Sequence, residues 1–136
     1  MAIISTIATF LLGGSVGMLI SLFQDVDEII KGFLTFAKHV MGWVNKMLSK
    51  YEDFLSNKSG SPILVEVPIN EEIEKTLAPV ITKEQLDNAK VIHIGALADN
   101  EGNIHKIDTV MVPTEGTDDE LRVRFNEGGG VIRFSV

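Results

Sequence analysis

The chain is 136 residues long, has no cysteine and carries a net charge of −7. That length suits one domain, or a membrane segment plus one small domain. The missing thiols exclude disulfides and cysteine-ligated zinc or iron–sulfur centres. Charge is unevenly spread: residues 25–60 hold five acids against five lysines, and residues 61–136 hold fourteen acids against seven bases. So acidic a C-terminal half argues against nucleic acid as the partner, because affinity for phosphate comes largely from Lys and Arg.

Met1 to Gln24 contains no charged side chain. About 20 apolar residues cross a bilayer core as a helix, so residues 1–24 are read as a retained transmembrane helix. A cleaved signal peptide would want a basic start and an A-x-A-like site, and a helix buried inside a soluble oligomer is the other alternative. Gly13 and Gly17 form a small-xxx-small edge on which membrane helices pack closely. Lys31 and Lys38 follow the run closely, which predicts a membrane protein with a cytoplasmic C-terminal domain.

Residues 25–56 read as one long amphipathic helix. Asp25, Asp27 and Glu28 suit a helix N-terminus. Ile29, Phe33, Phe36, Val40, Trp43 and Met47 then follow alternating spacings of four and three, as in a coiled coil, and a second apolar seam runs beside them from Ile30 to Leu55. A face that wide exceeds the seam of a simple dimer and predicts an oligomerisation helix that meets neighbours on two sides. Alternatives are a helix lying on the lipid surface, one packed on its own C-terminal domain, or a second membrane crossing in which Lys31, Lys38, His39 and Lys46 line a pore.

Residues 57–62 have the composition of a linker. Residues 63–136 read as a small α+β domain. Ile63 to Val67 is a strand, Glu71 to Leu77 a short helix, and Thr82 with Gln85 a capping box that opens another helix. Lys90 to Leu97 and Ile104 to Val112 form a hairpin, and Leu121 to Phe125 with Val131 to Val136 a second one around Gly128-Gly129-Gly130. The predicted fold class is therefore α+β: an N-terminal membrane helix, a long heptad-patterned helix, and a mostly antiparallel sheet.

Chemistry-bearing patterns are sparse. The Glu127 to Gly130 stretch lacks the Lys-Ser/Thr of a phosphate loop. His93 comes near Asp108 if the first hairpin turns at Glu101, which would be a metal or acid–base pair. Asp99, Glu101 and Asn103 alternate like calcium ligands, but the loop is too short for an EF-hand. Arg122, Arg124 and Arg133 make a basic strip on two paired strands, suited to an acidic neighbouring copy or an anion. The expectation is a non-enzymatic assembly protein without a cofactor, anchored in a lipid membrane, homo-oligomeric and open to a further protein partner. A two-helix pore and a soluble or virion structural oligomer are the alternatives.

Overall fold

The computed structural model describes residues 26–57, 60–100 and 104–134. The predicted membrane helix and its Gly13 and Gly17 edge lie outside them. In chain order the elements are β1 (Glu28–Lys31), a π-helical turn (Phe36–Val40), α1 (Met41–Lys50), α2 (Glu52–Asn57), β2 (Ser61–Pro68), α3 (Glu71–Leu77), α4 (Lys83–Ala89), β3 (Val91–Ala98), β4 (Ile104–Val112), α5 (Asp119–Glu127) and β5 (Val131–Arg133). The strands form one five-stranded mixed sheet in the order β1-β4-β3-β2-β5. β1 runs parallel to β4, and every other neighbouring pair is antiparallel.

Helices cover both faces of this sheet, and β2 and β3 show why. Their residues are almost continuously buried, which is the signature of strands without a solvated face. On one face Ile63, Val65, Ile92, Ile94 and Val110 pack against Ile73 and Leu77 of α3 and Leu86 of α4. On the other, Leu64, Leu97, Met111 and Ile132 pack against Phe36, Val40, Trp43 and Met47, with Leu121 and Phe125 of α5. Each such side chain withdrawn from water contributes about 1.5–3 kcal/mol. α4 forms where its capping box predicts, Thr82 and Gln85 exchanging both bonds at 3.1 Å, and α3 is capped by Asn70, which accepts from the Ile73 amide at 2.9 Å.

The fold class expected for the N-terminal half is overturned. Among the described residues no helix is long and apolar enough to cross a membrane, so a membrane localisation finds no support, and neither does a pore built from a second crossing over residues 29–48. The single heptad helix of residues 25–56 is instead an edge strand, a π-helical turn and two short helices. The physical break is local. Gly32 adopts φ +131, which side-chain-bearing residues rarely take. Thr35 then starts a new helix, its hydroxyl accepting from the Lys38 amide at 3.3 Å. Among the described residues there is no coiled coil, because the wide apolar face is absorbed by the chain's own sheet. Phe36, Val40, Trp43 and Met47 are buried there, whereas Ile29 and Phe33 stay exposed.

The second predicted hairpin is also corrected. Leu121 to Phe125 lies in helix α5, not in a strand. Asp118 caps that helix by accepting from the Leu121 amide at 2.9 Å, and Asp119 and Glu120 place negative charge in its first turn, where the dipole favours it.

Register within the β3–β4 hairpin departs from a regular ladder in a consequential place. Gly95 pairs with Thr109 and Ala96 with Ile107, leaving Asp108 as the extra residue of a bulge. A bulge turns one side chain out of the alternation. Here it delivers a carboxylate to the face that carries Trp43. Gly95 matters to the same face, since a Cβ on it would stand 2.7 Å from the Trp43 ring.

Candidate functional site

Where β2 ends, β3 begins and β4 ends, the two helical layers leave a cavity of about 300 Å³. The C-terminus of α4 contributes Asn88 from one layer, and α5 contributes Arg122, Phe125 and Asn126 from the other. Glu66 of β2 and His93 of β3 form its floor, and Thr117 stands on the loop after β4. That loop is held by the segment after β1: the Leu34 amide donates to the Gly116 carbonyl at 3.0 Å, and the Asp118 amide donates to the Leu34 carbonyl at 2.9 Å. The second oxygen of the Asp118 carboxylate accepts from the Phe36 amide at 3.2 Å. One side chain thus fixes both α5 and the cavity wall.

His93 is the unusual group. Its residue is fully buried, and neither ring nitrogen has a hydrogen-bond partner. Nε2 lies 3.4 Å from a Glu66 carboxylate oxygen. That is ion-pair distance, but the orientation makes no hydrogen bond. The ring sits 4.5 Å from that of Phe125, tilted by 47°. Leaving a buried polar group unpaired costs about 1–3 kcal/mol, and most such groups in folded proteins have a partner. An imidazole without one beside a cavity marks a place where a polar partner would be favoured.

The buried Asp108 is the instructive contrast. Its Oδ2 accepts from Thr109 Oγ1 at 2.7 Å and from Trp43 Nε1 at 3.3 Å, and Tyr51 approaches Oδ1 at 3.5 Å. Lys50 Nζ stands 3.8 Å from Oδ1 and 2.8 Å from Asp27, and Lys106 is 3.5 Å from Asp27. The Lys50 hydrogen bond holds the Asp27 carboxyl below the usual carboxylate range, and Asp27 in turn holds the Lys50 ammonium above its ordinary value. Desolvation works against charge on Lys106, yet Tyr51 and Asp27 together keep its ammonium raised. Every member of this network has a counterpart, so it latches the start of β1 to α1 and the β4 bulge.

The remaining residues of interest disperse. His93 and Asp108 do not meet, because the hairpin register sets His93 opposite Met111, three residues beyond Asp108. Arg122 and Arg124 lie two positions apart on a helix, about 200° around its axis. Arg122 borders the cavity and pairs with Asp119, whereas Arg124 stacks 4.0 Å above the Phe36 ring and pairs with Glu120. Arg133 donates to Ser61 at 2.9 Å. No basic strip results. Lys31 reaches the Val80 carbonyl, Lys46 pairs with Glu28, and His39 Nδ1 accepts from the Thr35 amide, so the polar stripe is not a common lining. Asp99 contacts His105 at 2.8 Å. Glu101 and Asn103 lie outside the described residues, and no cluster able to hold a metal occurs among the described ones.

Comparison with protein families, curated proteins and solved structures found no match to the chain. A functional reading therefore rests on the geometry of the chain itself. Sequence reasoning noticed His93 and Arg122 but not Glu66, Asn88, Thr117 or Asn126. One signal was available: Glu66 is the lone charge inside the apolar run of residues 63–67.

Proposed function

We propose that this protein is a binding module for a small polar molecule, seated in the cavity between Glu66, His93 and α5. The observation that carries the reading is the buried His93 ring, both of whose nitrogens lack partners. A volume near 300 Å³ sits at the lower end of ordinary ligand cavities, about 300–1,000 Å³. The floor offers a carboxylate and an imidazole, the helices offer carboxamides, and Phe125 gives an apolar wall.

Binding sites commonly sacrifice stability, so changing such a residue to an apolar one raises it. His93→Phe is accordingly expected to leave the unfolding free energy unchanged or to raise it by about 1 kcal/mol. A small polar solute that raises the melting temperature of the wild type should have no effect on the variant. Thermal unfolding across a solute library measures both. A loss above about 1 kcal/mol in His93→Phe would mean that the imidazole has native partners, and would count against a ligand site.

A second reading, self-association, is favoured by Ile29 and Phe33. They are 38% and 49% exposed, on and just after the edge strand β1. Light scattering that returned a single-copy mass would remove it.

A further inference from the structure

We infer that the ligand of this cavity is a zwitterion of the α-amino-acid type, its ammonium met by Glu66 and its carboxylate by Arg122. This rests on the ligand-binding reading above and adds the ligand's chemistry. Two groups of opposite charge border one small space. A simple anion would face the Glu66 carboxylate, which lies 3.4 Å from His93 Nε2. A simple cation would face the Arg122 guanidinium. A neutral apolar molecule would leave both His93 nitrogens unpaired in a buried setting. A molecule carrying both charges a few bonds apart meets both walls and offers His93 a polar partner.

The size agrees. A volume near 300 Å³ admits a small molecule and not a bulky one. Asn88 and Asn126 stand at the ends of α4 and α5 on either side of the opening. Their carboxamides both donate and accept, which suits a ligand with a polar side chain. Phe125, tilted against His93, lines the part left for its methylene groups. Arg122 is shared with Asp119 through an exposed contact within one helical turn. Exposed pairs of this kind are weak, so a carboxylate at the cavity competes with Asp119 at little cost.

The test is calorimetric titration of the full chain with a panel of common L-amino acids, run beside the deaminated and decarboxylated counterparts of any that bind. At least one amino acid should bind, with each single-charge counterpart weaker by about tenfold or more. Glu66→Gln should weaken the zwitterion by a similar factor and spare the carboxylate-only counterpart, and Arg122→Gln should do the reverse. Both side chains are solvent-accessible, at 37% and 64%, and circular dichroism verifies that the variants fold. Counterparts that bind as tightly as the amino acid would overturn the zwitterion. So would a panel without binders. In that case a neutral polar solute that moves the His93 ring resonances would leave the ligand-site reading standing, and a ring that answers no solute would remove both.

Discussion

Replacing Trp43 by alanine is expected to lower the unfolding free energy by about 3–5 kcal/mol, the usual cost of emptying a large aromatic site in a core. Trp43 is the only tryptophan in the chain and lies in the centre of the layer between α1 and the sheet. It is 3% exposed, packs edge-on to Phe134 at 6.4 Å, and rests on the sheet where Gly95 provides no side chain. Two losses combine: the dispersion contacts of the indole and the Nε1–H donated to Asp108. The fit to Gly95 adds a sharper expectation. Gly95→Ala in the wild type forces a methyl into the ring and should cost about 1–3 kcal/mol. In the Trp43→Ala background the same methyl enters vacated space and should be neutral or stabilising. Contacting residues couple in this way, and urea unfolding followed by circular dichroism measures the cycle. Additive losses would mean that the indole does not lie on Gly95.

Asp108→Ala is the second large effect, expected at about 2–5 kcal/mol, because it strands the two donors that bond the buried carboxylate, each left unpaired at about 1–3 kcal/mol. The indole N–H and the Thr109 hydroxyl lose their acceptor, and Lys50 keeps only Asp27. Trp43 fluorescence under urea reports the change at the affected site, and a loss below about 1 kcal/mol would show that Asp108 is not the centre of the latch. The outer part of the network adds a pH dependence. Asp27 has a lowered folded pKa because of its Lys50 bond. Its contribution is complete above the unfolded carboxylate value of about 3.9 and is lost as pH falls through the lower folded value. The raised Lys50 behaves oppositely: its contribution is complete below about 10.4 and is lost as pH rises through its folded value. Asp27→Asn should therefore flatten the acid limb of the stability profile.

Residues 63–98 were legible because their local signals agree with one another. The β-rich runs and the Thr82 capping box favour the same structure, and the fold adopts it. Residues 28–50 were not, because an apolar spacing of three and four cannot say what it packs against. Phe36, Val40, Trp43 and Met47 do line one helical face, but the partner is a sheet of the same chain, broad enough to bury two seams. Ile29 and Ile30 matched the helical period by coincidence of position. Their β-branched side chains and the glycine at 32 were the contrary signals. α5 was misread because Leu121, Val123 and Phe125 alternate like a strand. Val123 is half exposed, and the acids at 118–120 were the better guide.

The cavity was illegible for a different reason. Its walls come from β2, α4, β3, the loop after β4, and α5, so no stretch of sequence contains the site. The bulge at Asp108 adds to this. One extra residue sets His93 opposite Met111 rather than Val110, three residues beyond Asp108 along β4. That separation defines the two polar centres of the molecule: one holds the fold together, and the other faces a space.

The chain has three histidines, so a long-range proton–nitrogen NMR spectrum of the imidazole rings can be assigned by substitution. In the free protein the His93 nitrogens should lack the signature of a protein hydrogen bond, and saturation with a ligand should shift them while His39 and His105 stay in place. A His93 ring already hydrogen-bonded in the free protein, and unmoved by every polar solute, would contradict the account.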